Sequence, residues 1–513
     1  MRLNKSFEFL SMGLIRRSPH WPHFFIIPLN LTIMKTRIWG LLLLSTLSLQ
    51  SLYATRYFVT PEGNDDNDGL SWETPVTLNG ILTDTKLVEG DEILVKKGTY
   101  MAPEGASFTC NRAAVKVYGN CEGTEVDPPT SYQLDKIETY LVGSGRRVLY
   151  FKTASYLVGF DISGGDAYNS TAGGSGRGGG VYIDDPDGVI EYCIIHDNYG
   201  SKLAQIKGVG GGVYALGTVK NCIVENNIAT AAEGKKPGVG GGVCLEGGYL
   251  INTIVRNNSC VDDNVNNTSA GGNVGGGVSI KTGYVVNCLI EGNVIGGTPN
   301  NANYGGGIDC SLVSEPSEPG IVAHIINCTI VGNDATSGRG GGIGFGNKGS
   351  SEVVNCIVVD NVARPEATPD GSNIFMGAES TTEVSYTLWP EAESGTGNIS
   401  EAPLFVEGTY TLQSSSPAVN AGNNEAIAGY EKDLAGKVRV FDEVVDLGAY
   451  EFDGIASAVD DVVVDADDPI VEVQYFTLSG ARVEEPQVTG IYLVKKIHAS
   501  QKYSVEKMIF VYK

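Results

Sequence analysis

Four residues stand out for their chemistry and their spacing: His196, Glu225, Arg256 and Glu291. Each follows by three positions a small residue, in turn Cys193, Cys222, Thr253 and Cys288. An imidazole and a guanidinium among carboxylates are groups that can move a proton or hold an acidic sugar, provided they meet in a cleft where the base has an orienting partner. On a repeating scaffold the same residues would instead stack as a solvated ladder of alternating charge, worth ~0.2–1 kcal/mol per pair.

A second set is basic and lies in segments of variable length: Lys202, Lys207, Lys235 and Lys236, with Arg177 and Arg339, while Asp262 and Asp263 lie in the longest of them. Elimination on a uronic acid needs a cation, metal or arginine, to neutralise the carboxylate, and a base of suitable pKa. Both residue types are present, although charged loops more often serve solubility. A third set, Asn64, Asp66 and Asp68, offers alternating oxygens like the first half of a calcium loop, so Ca2+ is the one cofactor the sequence suggests. The closing glutamate is missing where Pro75 stands, which favours an Asx turn instead. No zinc-ligand spacing and no nucleophile elbow occurs.

The elements that would position these groups repeat. Glycine triplets begin at Gly178, Gly210, Gly240, Gly275, Gly305 and Gly340, at intervals of 30 to 35 residues, and Val or Ile follows each. Two residues beyond come Ile183, Ala215, Leu245, Ile280, Cys310 and Phe345, a period-two strand with one buried face. A second strand carries Cys193, Cys222, Thr253, Cys288, Cys328 and Cys356, then a β-branched residue, then Asn198, Asn227, Asn258, Asn293, Asn333 and Asn361. Asparagine also precedes five of those six small residues, Tyr192 being the exception. Parallel stacking explains every feature. Asparagine tolerates left-handed corners and can ladder its amides. Glycine lets coils approach closely, and cysteine fills a narrow interior. The expected fold is all-β: a right-handed parallel β-helix of three sheets, followed by a small C-terminal β-sandwich. A β-propeller would need four strands in each repeat of ~40 residues, joined by hairpins, which these units lack.

The cysteine column therefore reads as buried free thiols, with stacked Cβ vectors too parallel for disulfides. Cys110 and Cys121 lie outside the repeats and are the best disulfide candidates. The chain has 513 residues, is 42% hydrophobic and carries a formal net charge of −24, so disorder by composition is excluded and nucleic acid is disfavoured as a partner. Lys35 and Arg37 precede the apolar run Ile38–Leu49, too short to span a bilayer. Residues 34–54 read as a secretory signal cut after Ala54, with translation expected to start at Met34 and residues 1–33 as an over-extended start. No transmembrane helix is expected in the mature chain.

The glycine triplet with its later Asn-Cys-x-Ile-x-x-Asn run resembles the repeats of polymorphic outer-membrane-type β-helix proteins and is similar to the wider pectate-lyase-like solenoids. The segment Tyr57-Phe-Val-Thr, with Gly90-Asp-Glu-Ile-Leu-Val and Gly98-Thr-Tyr100, looks like the opening of many bacterial β-helix proteins, which implies a cap over 55–109 and the solenoid over 110–400. Ser416-Pro-Ala-Val-Asn-Ala-Gly422, Asp433-Leu-Ala-Gly436 with Arg439, and Val445-Asp-Leu-Gly-Ala-Tyr-Glu451 resemble the choice-of-anchor Q module, placed at 401–455. After an acidic linker at 456–469, residues 470–513 are similar to the C-terminal sorting domain of type IX secretion in Bacteroidetes. That resemblance implies the type IX machinery as a partner and a secreted or outer-membrane cell-surface location.

The leading expectation is a monomeric surface protein that binds a polysaccharide or other surface glycan without catalysis. A polysaccharide lyase or glycoside hydrolase acting on an acidic glycan is the alternative, and an inert structural spacer is the third. Fold likeness alone does not choose among them.

Overall fold

The computed structural model describes residues 54–454 apart from loop residues 170–173, 204, 231–235, 262–271, 298, 300–301, 312–322, 347–349, 366–370, 379, 393–394 and 428, together with the strands 470–477, 482–483, 490–498 and 503–510. The start and signal expectations on 1–53 and the linker at 456–469 lie outside the described residues.

The chain winds as a right-handed parallel β-helix, the hand that crossovers between parallel strands take. Among the described residues, parallel sheets of eighteen, nine and six strands form its walls. One coil shows the pattern. Val213–Ala215 and Thr218–Lys220 lie in the first sheet, Ile223–Glu225 in the second and Ile228–Thr230 in the third. The next coil repeats it in register, Val213 beside Val243, Val224 beside Val255 and Ile228 beside Ser259.

Corners are set by backbone chemistry. Between the first and second sheets Tyr192, Asn221, Asn252, Asn287, Asn327 and Asn355 take left-handed angles, φ from 46° to 57°. Asparagine tolerates that region better than most side chains. At the next corner the left-handed residue is the one before the recurring asparagine of each repeat, for example Asp197, Asn226 and Asn257. Asn198, Asn227, Asn258, Asn293, Asn333 and Asn361 point inward instead and are almost wholly buried. Asn227 donates Nδ2 to Asn258 Oδ1 at 3.0 Å and to the Ile195 and Glu225 carbonyls, while its backbone N–H also donates to Asn258 Oδ1. Rung after rung, each buried amide is satisfied by its neighbour, which removes the penalty for burying it.

The glycine triplets serve that ladder. Gly210 takes φ +70°, and a Cβ on Gly212 would stand 2.8 Å from the Gly242 carbonyl and 2.9 Å from the Asn227 amide. Inside, the six cysteine or threonine positions make one buried row, 0–1% exposed. Burial pushes the thiols of Cys193, Cys288 and Cys356 well above their ordinary range. Cys110 and Cys121, expected as a disulfide pair, are both buried and free. Cys110 faces the main core, while Cys121 packs with Phe58 and Leu94 in a separate cluster, so the two belong to different packing layers.

At the N-terminal end Arg56–Val59 pairs in parallel with Glu92–Lys96. The helix Leu78–Thr83, N-capped by the Thr77 hydroxyl, buries Leu78, Ile81 and Leu82 in the main core. At the other end Trp389 closes it. Residues 401–454 then turn back along the outside of the solenoid. Asn287, Asn327 and Asn355 donate their amides to the carbonyls of Lys432, Asp446 and Asn423. Leu412, Ala418 and Leu447 pack on Leu289, Val331, Ile357 and Val359 of the second sheet. The described strands beyond residue 469 form one four-stranded antiparallel sheet.

Candidate functional site

The second sheet places His196, Glu225, Arg256 and Glu291 side by side on its outer face, because their strands pair in register. They form one continuous strip. His196 is clasped by two carboxylates, Nε2 at 2.9 Å from Asp161 Oδ1 and Nδ1 at 2.7 Å from Asp197 Oδ2. The Asp161 hydrogen bond, reinforced by Asp197 against partial burial, raises His196 to about 9. It is therefore an imidazolium at neutral pH, with both nitrogens donating, and does not supply the base that the sequence suggested. Arg256 Nε donates to Glu225 Oε2 at 2.6 Å, and its Nη1 lies 4.0 Å from Glu291 Oε1.

The strip ends in an open trough of about 650 Å³ between the second sheet and the folded-back segment. Arg256, Glu291, Ile254 and Leu289 form its floor, and Gly408–Thr411 with Tyr450 form its wall. Burial, followed by a hydrogen bond to Glu291, pushes the Tyr410 phenol up to about 12. Tyr450 rises to about 12 as well, by burial and then the nearby Glu291 charge. Ions held in fixed positions beside tyrosines make a surface suited to sugar hydroxyls and ring faces.

The basic loops do not join this strip. The described ones lie beyond the third sheet, and three of their cations are engaged by aromatic rings. Lys202 Nζ sits 4.2 Å from the Tyr199 ring centre, Arg177 5.0 Å from Tyr214 and Arg339 4.9 Å from Phe375. Lys207 lies near Cys244 and Asp309 of the first sheet, and desolvation lowers its pKa. Lys236 is exposed, and Lys235, Asp262 and Asp263 lie outside the described residues. Among the described residues the strip and the basic loops do not line one groove. The calcium candidates are likewise engaged. Asn64 Oδ1 accepts the Asp66 N–H, and Asp68 Oδ1 accepts the Leu70 N–H and the Thr74 hydroxyl. These oxygens staple a turn rather than converge, and among the described residues no three His, Cys, Asp or Glu side chains could hold a metal ion.

One pair went unforeseen. On the outer face of the first sheet Tyr249, Tyr284 and His324 stack, with ring centres 5.0 and 4.0 Å apart. His324 Nδ1 lies 2.5 Å from Glu352 Oε1 on the next rung. An imidazole oriented by a carboxylate has the form of a general base. Its column continues as Tyr284, Glu352 and Glu383, with no cation to neutralise a uronate. The signal was an aromatic run at one outward register position, visible once the repeats are aligned on their corner asparagines.

No family model matches the chain, and no curated protein matches it. Among solved structures, pectate lyase Pel9A is similar at 17% identity over 78% of this chain and 97% of its own, with a TM-score of 0.38. A rhamnogalacturonan lyase is similar at 15% identity over 78% and 97%, with a TM-score of 0.37. XylC in complex with xylose is similar at 11% identity over 77% and 98%, with a TM-score of 0.29.

Proposed function

We propose that this chain is an exported surface protein that binds an extracellular saccharide without catalysis, through the strip and the trough at Arg256, Glu291, Tyr410 and Tyr450. The observation that carries the reading is the pairing of the strip with itself. His196 is held as an imidazolium by Asp161, and Arg256 stands between two glutamates, so the cations of the strip are held in fixed positions by neighbouring carboxylates. Export rests on the leader-like residues 34–54 and on the C-terminal sheet read as a sorting unit; among the described residues no helix is long and apolar enough to cross a membrane. A mature protein starting near Thr55 and lacking residues 470–513 would support that half of the reading, and one retaining both ends would overturn it.

The binding half is tested with the purified full chain on a glycan array, and by incubation with pectin, alginate and glycosaminoglycans monitored for unsaturated uronic products. Retention of a saccharide that falls at least tenfold in Arg256→Ala and Tyr410→Ala supports the proposal. Release of unsaturated products would overturn it in favour of a lyase, for which the His324–Glu352 pair is the specific geometric candidate. Absence of both retention and product leaves the spacer.

A further inference from the structure

The folded-back segment is seated on the solenoid along residues 446–449. Asn327 Nδ2 donates to the Asp446 carbonyl at 3.0 Å, the Gly448 N–H donates to the Asn355 carbonyl at 2.8 Å, and the Ala449 N–H donates to the Thr329 hydroxyl at 2.9 Å. Tyr450, the next residue, stands in the wall of the trough. Behind this seam lies Arg439, whose Nη2 donates to the same Asp446 carbonyl at 2.9 Å and to the Gly448 carbonyl at 2.7 Å.

Arg439 shares its site with three carboxyl groups. Asp433, Asp446 and Glu451 are 1–3% exposed, and Arg439 is 1% exposed. Each carboxyl accepts two main-chain N–H groups: Asp433 from Lys437 and Glu451, Asp446 from Asn420 and Phe452, and Glu451 from Phe441 and Asp446. The arginine does not complete them. Its Nη1 lies 3.9 Å from Glu451 Oε2, and neither Nε nor Nη1 has a hydrogen-bond partner among the described residues. With all three carboxyls ionised the site would hold two negative charges in excess of the guanidinium, and uncompensated charge out of water is costly. Burial, then the Asp446 carboxylate, pushes Glu451 up from 4.5 to about 7, and burial raises Asp446 as well. The remaining titratable neighbours stand at the margin. Half-exposed Lys437 pairs with Asp453 at 2.6 Å, Glu291 of the second sheet faces Tyr450, and the buried Cys328 thiol of that sheet faces Arg439.

We propose that this cluster is a pH-sensitive clasp: with Glu451 protonated the folded-back segment stays seated on the second sheet, and ionisation of Glu451 loosens the seam and the Tyr450 wall of the trough. The sign follows from linkage. A carboxyl raised in the seated state adds stability that is complete below its ordinary 4.5 and is lost as the pH rises through about 7. The clasp concerns the position of the wall and holds whatever the trough binds.

The test is hydrogen–deuterium exchange of the full chain at pH ~5.5 and pH ~8, corrected for intrinsic exchange rates, comparing peptides over 439–452 with peptides over 213–230. In wild type the seam should open about tenfold more readily at the higher pH while the coil over 213–230 holds its protection. Glu451→Gln keeps a neutral group of the same shape at every pH, and the clasp predicts that it stays closed at both. Asp446→Asn removes the nearest negative charge and should move the midpoint of opening down by about one pH unit. Equal seam protection in wild type at the two pH values overturns the proposal, as does a Glu451→Gln protein that keeps the wild-type pH dependence. A Glu451→Gln seam as open at pH ~5.5 as wild type is at pH ~8 also overturns it, because the ionised carboxylate would then be what seats the segment.

Discussion

The second sheet has one backbone and two kinds of outer surface. Through the coils of residues 194–256 its last outward position holds His196, Glu225 and Arg256, and these face solvent as ion pairs. Two coils later the same position holds Val331 and then Val359, 4% and 3% exposed beneath Leu412, Ala418 and Leu447. Glu291 is the hinge of the change: its own strand already buries Leu289, and its carboxylate accepts from Tyr410 of the covering segment. Inward positions cannot show this difference, because the interior is filled the same way throughout. It is the outward chemistry that tells where a solenoid is bare and where something lies on it, and the proposed trough sits on the border between the two.

The largest test of that contrast is a charge moved across it. Val331→Asp places a carboxylate with no partner under the covering segment, and the expected cost is about 3–5 kcal/mol from lost burial and an unpaired buried charge. Limited proteolysis should then cut within 401–454 while the coils before residue 256 stay protected. The converse change, Arg256→Leu on the bare side, should cost less than about 1 kcal/mol, since exposed pairs contribute little. Equal losses from the two variants in denaturant titration would show that the two surfaces do not differ as described.

The parts that were legible in the sequence are those the repeat forces. The buried cysteine row, the aliphatic neighbours and both asparagine rows follow from period-two strands stacked in register, and each coil restates them. The contacts made by the strip were not legible. Asp161, which decides the charge of His196, lies one coil earlier, where no glycine triplet marks the register. The cations of the loops looked available because their aromatic partners come from other strands: Arg177 meets Tyr214 and Arg339 meets Phe375 only after coiling. The return of residues 401–454 over the solenoid had a readable sign, namely Cys328-Thr-Ile-Val331 and Cys356-Ile-Val-Val359, where the outward charged residue of the earlier coils gives way to valine. Such a strand has two buried faces and must be covered by something.

A smaller effect sharpens the bare side. His196 faces Asp161, Asp197 and, across the ladder, Glu225, and its folded pKa of about 9 lies above the ~6.5 of a free imidazole. Its contribution to stability is therefore complete below pH ~6.5 and is lost as the pH rises through about 9. With one quarter of the side chain exposed to solvent, the amount is on the order of 1–2 kcal/mol after screening. Urea titrations of wild type and His196→Gln at pH 6 and at pH ~9.5 isolate it, because every other titrating group is common to both proteins. Wild type should lose that much more stability than the variant between the two conditions, and the gap at pH ~9.5 should nearly close. Parallel losses in the two proteins would mean that the imidazole is neutral in the folded state, which would return to it the capacity to act as a base that the present geometry denies it.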